Sequence, residues 1–85
     1  SFKEKMIYAD EADILNLIIF GKTAKEWKQE NPNLFKRKLN IRDVAEIEDL
    51  IVLSNLETIN AYLLDQGKTK KERIDILTEE AKKNF

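Results

Sequence analysis

The sequence has no cysteine and no histidine, and only one proline and two glycines in 85 residues. Without cysteine there is no disulfide framework and no thiolate metal site, so the core must hold itself together. Without histidine the usual acid–base group at neutral pH is missing, as is the commonest metal ligand. No apolar run is long. Leu17-Ile18-Ile19-Phe20 and Leu50-Ile51-Val52-Leu53 are the longest, four residues each, against about 20 for a transmembrane helix. The start shows no signal-peptide pattern. Charge of either sign is nearly balanced, with 15 basic and 16 acidic residues and a net charge of −1, so no global field draws the chain to nucleic acid or membrane.

What is present is one modest core's worth of apolar residues, 42% of the chain, within a surface rich in charge, 36%. This length fits a single domain spanning residues 1–85. A cytoplasmic setting is expected. Ser1 reads as a remnant of cloning and the chain as a piece of a longer protein.

Four helices are predicted. The first follows Asp10, which caps it, with Glu11 and Asp13 at its positive end. Ile14, Leu15, Leu17, Ile18 and Ile19 cover more than one face of it, which predicts burial on two sides. Gly21 stops it. Thr23 and Glu26 form a capping box for the second, which carries Trp27 and ends at Asn31-Pro32 because the residue before proline leaves helical geometry. Residues 33–39 read as a loop. The third and longest helix starts at Asp43 with Glu46, Asn40 being the alternative cap. Apolar residues recur at spacings of three and four from Val44 to Leu64, and Gly67 closes it. A bend or break near Ser54-Asn55 is expected. Thr69 and Glu72 box the fourth, with Ile74, Leu77 and Ala81 on one face and fraying near Phe85. Residues 1–9 read as partly extended or flexible. The fold class is all-α, a small compact bundle of about four helices with a short extended N-terminal lead-in.

The pattern G-K-T-x-K-E occurs twice, at Gly21–Glu26 and Gly67–Glu72. A phosphate-binding loop requires a further glycine five residues earlier. Those positions are Asn16 and Tyr62, so both copies read as a helix stop followed by a helix start. Ser54 has no histidine to activate it and no G-x-S-x-G turn. Carboxylates cluster at Asp10, Glu11 and Asp13 and again at Asp43, Glu46, Glu48 and Asp49, yet consecutive helical residues point apart and acids at helix starts already serve the dipole. No catalytic, cofactor-binding or metal-ligating residue is assigned.

From Lys22 to Arg42, seven basic residues against two acidic ones give +5, and the remainder of the chain carries −6. Lys36, Arg37, Lys38 and Arg42 are therefore candidates for contact with nucleic-acid phosphates. Trp27, Tyr62 and Leu63 are candidate anchors for a protein partner beside the long helix. Asn55, Glu57 and Asn60 interrupt an apolar stretch. They read as side chains that cap the 33–39 loop backbone, with a binding face as the alternative.

Several blocks in order resemble a known family. Phe20-Gly21-Lys22-Thr23-Ala24-Lys25-Glu26-Trp27, Asn40-Ile41-Arg42-Asp43, Leu50 to Glu57 with Asn60-Ala61, and the Gly67 turn leading to Glu72-Arg73 are similar to the C-terminal region of KilA-N domain proteins of phages and bacteria. The similarity runs from about Tyr8 to about Ala81. The segment Asn33–Leu39 departs from the shorter link of many relatives. The resemblance implies a helical companion of a DNA-binding KilA-N module that lies toward the N-terminus and is absent here, with no catalytic residue to carry over. The expected function is a non-catalytic accessory domain for protein–protein contact or self-association, a homodimer or a foreign partner. Auxiliary nucleic-acid binding through residues 22–42 is the alternative. No cofactor, membrane or small-molecule substrate is expected.

Overall fold

The structure is a computed structural model describing residues 2–84. Ser1, and the fraying expected at Phe85, lie outside the described residues. The order of elements is α1 (Phe2–Ile7), α2 (Glu11–Phe20), α3 (Ala24–Glu30), α4 (Pro32–Lys36), a 3₁₀ turn (Ile41–Val44), α5 (Ile47–Asp65) and α6 (Lys70–Asn84). There is no strand among the described residues. The class is all-α, as the periodicity predicts.

α2, α5 and α6 pack against one another and enclose the core. Leu15 of α2 meets Val52, Leu53, Leu56 and Leu63 of α5 and Leu77 and Ala81 of α6. A second cluster joins Met6, Ile14, Leu17 and Ile74. α2 is thus apolar on two sides because it is sandwiched. Ile14, Leu17, Leu56, Ile74 and Leu77 are the largest fully buried side chains, each stabilising the fold by about 1.5–3 kcal/mol relative to exposure.

The helix ends follow their local chemistry. Asp10 Oδ1 accepts from Asp13 N at 2.8 Å. Thr23 Oγ1 accepts from Glu26 N while Glu26 Oε1 accepts from Thr23 N. Thr69 and Glu72 repeat the box. Both copies of G-K-T-x-K-E are therefore turn chemistry. Gly21 and Gly67 take left-handed backbone at φ 75° and 74°. At the end of α5, Gly67 N donates to the Leu64 carbonyl and Lys68 N to the Leu63 carbonyl, the paired bonds of a Schellman stop.

Four expectations are corrected. The lead-in is helical rather than extended. α1 has six residues, too few to be stable alone, and it forms because Met6 inserts among Ile14, Leu17 and Ile74 while Lys3 pairs with Asp75 and Lys5 with Glu26. Residues 33–39 are not all loop, because Pro32 opens α4 at a first-turn position where its missing N–H costs nothing. The Asp43–Glu46 start is displaced. Asn40 and Asp43 form the box, and it caps the 3₁₀ turn, while α5 begins at Ile47 without a side-chain cap. Finally, the break is absent: α5 runs through Ser54-Asn55 for 19 residues, with Thr58 Oγ1 donating to the Ser54 carbonyl at 3.1 Å.

α4 ends in the same way as α5, with Lys38 N donating to the Phe35 carbonyl and Leu39 N to the Leu34 carbonyl. The left-handed residue here is Lys38, at φ 64°. Where α5 uses glycine, α4 keeps a lysine, at a backbone cost of about 1–2 kcal/mol.

Candidate interaction surface

α5 has a buried face and a bare one. Val52, Leu53, Leu56, Asn60 and Leu63 point inward. On the opposite side Ile47, Ile51 and Tyr62 are 73%, 56% and 63% exposed. Ile47, Ile51, Thr58 and Tyr62 share one stripe by helical spacing, and Leu50 adds exposed apolar surface beside Ile47. α5 carries Glu48, Asp49, Glu57 and Asp65 and no basic residue. None of these carboxylates is ion-paired among the described residues.

Of the three expected anchors, only Tyr62 is available to a partner. Trp27 and Leu63 are 6% and 7% exposed and belong to the interior. Trp27 forms the floor of an open cleft of about 210 Å³ with Phe20, Val44, Ala45, Glu46 and Asp49. That is below the ~300–1,000 Å³ of sites that enclose a small-molecule ligand. A second cleft, of about 260 Å³, lies on α5 between Glu11 and Leu64 and is lined by Arg42, Glu57 and Ala61.

The four basic candidates do not form one group. Lys36, Arg37 and Lys38 make an exposed corner at the end of α4, beside Phe35, whose ring has the Lys28 ammonium 5.0 Å from its centroid. Arg42 instead points into the cleft holding Glu11 and Glu57. None of the four is salt-bridged among the described residues. Elsewhere in the basic segment Lys22 is held by Glu30 at 2.5 Å.

A polar cluster missing from the sequence reading ties the bundle together. Arg73 of α6 is buried, and its Nη1 donates to Glu11 Oε1 at 2.5 Å and to Asn60 Oδ1 at 2.9 Å. Its Nη2 donates to Glu11 Oε2 at 3.2 Å, and its Nε to the Lys68 carbonyl at 3.4 Å. Asn60 Nδ2 donates to Glu11 Oε1 at 3.0 Å. Lys70 Nζ donates to the Ala9 carbonyl nearby. Asn60 is therefore buried as expected, but it bonds side chains of α2 and α6 rather than the 33–39 backbone. Asn55 and Glu57 are exposed. The Arg73 hydrogen bond, helped by Asn60 and the Arg73 and Lys70 charges, holds the Glu11 carboxyl below its ordinary range against the opposing effect of burial. Glu26 is also lowered, first by its bond from Lys5 and then by Thr23 N–H. Glu72 is lowered by the Thr69 N–H.

This cluster binds three helices and leaves no free reacting group. The acidic clusters are likewise spoken for in part: Asp10 caps α2, Asp13 Oδ1 accepts from Ala24 N, and Asp43 Oδ2 accepts from Asn40 N. No group of three or more potential metal ligands converges among the described residues. No helix of the described residues is long and apolar enough to cross a membrane. No family model, curated protein or solved structure matches the chain.

Proposed function

We propose that this chain is a non-catalytic helical interaction domain, the C-terminal companion of a phage-like KilA-N DNA-binding protein. The observation that carries the interaction reading is the outward stripe of α5, where Ile47, Ile51 and Tyr62 stand mostly in solvent on a helix already packed on its other side. Large apolar side chains left exposed on one helix face mark a candidate protein contact site. The ordered blocks from Phe20 to Arg73 support the KilA-N context. An intracellular setting goes with that context.

The test is a stripe variant, Ile47→Lys/Ile51→Lys. Wild type is expected to form a specific complex with a host protein through this stripe, read by crosslinking in cells. The variant is expected to lose that complex at an unchanged thermal midpoint. A host-protein complex that survives in the variant, or a wild type that forms none, would refute the stripe reading.

A second reading, auxiliary nucleic-acid binding, is favoured by the unpaired state of Lys36, Arg37, Lys38 and Arg42. It predicts duplex DNA binding that weakens steeply with salt and falls in Lys36→Glu/Arg37→Glu. No binding at low salt would end it.

A further inference from the structure

The cleft beside Trp27 has an apolar floor and an acidic rim. Phe20, Trp27, Val44 and Ala45 supply the floor, and Glu46 and Asp49 the rim. Neither carboxylate is ion-paired among the described residues. The cation that also borders the cleft, Lys22, is already neutralised by Glu30. The cleft's volume, about 210 Å³, suits a side chain rather than a free ligand. Its natural occupant is an apolar or aromatic group flanked by cations.

The same molecule displays such a group. Phe35 is 48% exposed and is followed by Lys36, Arg37 and Lys38, all exposed. The corner keeps Lys38 in left-handed backbone, in a stop motif where α5 uses Gly67. A lysine in left-handed backbone is an outlier, and the inference runs from that outlier to a use for its charge. Corner and cleft both adjoin α3, which packs against α4 and against the 3₁₀ turn.

Resting on the reading of this chain as an interaction domain, but through a face other than the α5 stripe, we propose that two copies of this chain pair reciprocally. The Phe35-Lys36-Arg37-Lys38 corner of each copy seats in the acid-rimmed cleft of the other. A reciprocal exchange of corner and cleft is isologous, so a two-fold axis closes the contact instead of propagating it. Pairing α5 against α5 would oppose four carboxylates to four with no cation between them, and like charges across an interface suppress association. A standard interface buries ~800 Å² per partner, about a seventh of the 5716 Å² exposed by this chain.

Sedimentation equilibrium on the 85-residue chain tests the proposal. Wild type is expected to reach a dimer that dissociates as salt rises. Lys36→Glu/Arg37→Glu and Glu46→Lys/Asp49→Lys should each weaken pairing by ~100-fold or more, since each sets like charges against each other. An equimolar mixture of the two variants should pair again, because acidic corner then meets basic cleft and basic corner meets acidic cleft. Circular dichroism confirms that each variant is folded. Should the cleft variant unfold, Lys38→Gly replaces it, with an expected loss of affinity at an equal or higher melting temperature. A monomeric wild type, a mixture that stays monomeric, or a mass that keeps growing with concentration would overturn the reciprocal pair. If the pair fails while Ile47→Lys/Ile51→Lys still abolishes a complex with a foreign protein, the wider interaction reading stands without it.

Discussion

Replacing Glu11 by alanine leaves the buried Arg73 guanidinium with the Asn60 carbonyl oxygen at 2.9 Å and the Lys68 carbonyl at 3.4 Å, and no counter-charge. Breaking a fully buried ion pair from one side costs about 3–5 kcal/mol. Here the Arg73 side chain is 6% exposed but Glu11 is 48% exposed, so water entering from the Glu11 side recovers part of that, and about 2–3 kcal/mol is expected. A chain of this size has a total stability of about 4–13 kcal/mol. At ~4–8 °C per kcal/mol the melting temperature should fall by roughly 10–20 °C. Arg73→Met should cost less, about 1–2 kcal/mol, because the stranded carboxylate can rehydrate and the methionine fills much of the space. The double variant should be less destabilised than the sum of the singles by about 1–2 kcal/mol. Urea unfolding followed by circular dichroism gives all four free energies. Additivity within ~0.5 kcal/mol would show that the clasp does not couple α2 to α6, and the reasoning would fail.

The pH dependence follows from the same carboxylate. Glu11 is lowered in the fold from an ordinary value of 4.5, so its contribution is complete above that value and is lost as pH falls through the lower folded one. Glu26 and Glu72 act in the same direction. Urea midpoints should hold steady from neutrality down to about pH 4.5 and drop below it, with a shallower drop in Arg73→Met. Gly21→Ala and Gly67→Ala meet no neighbour within 4 Å, so each should cost only the left-handed backbone penalty of about 1–2 kcal/mol, and asparagine less, by thermal melts. Leu77→Ala, at a fully buried site, should cost about 2–5 kcal/mol and leave a chain near its unfolding threshold, read as loss of cooperativity in the melt.

Local chemistry was readable from the chain, and distant pairing was not. Asp10, Thr23 with Glu26, Thr69 with Glu72, and the two glycines announce helix ends because each acts within a few residues of itself. Pro32 is ambiguous by nature, since the ring that ends one helix suits the first turn of the next. α1 has no strong signal of its own and exists by docking. The clasp joins residues 62 apart, which no local pattern reveals. A trace of it was present. Asn60 keeps step with Leu53, Leu56 and Leu63, and Arg73 with Leu77 and Ala81, so polar groups occupy core phase and must find partners there. The exposure of the candidate anchors was half legible. Tyr62 stands outside as expected, but Trp27 and Leu63 fill the interior because a small domain needs its largest apolar groups for its own core.

α1 is tied down by one inserted methionine and by surface ion pairs, contacts that are weak individually. Detaching it would wet Ile14, Leu17 and Ile74 without undoing the α2–α5–α6 packing. Its amides should therefore exchange hydrogen long before those of α5, through partial opening and not through global unfolding. The N-terminal helix behaves as a stopper in the side of the bundle: present at rest, first to lift, and the place where a protease would find its earliest foothold.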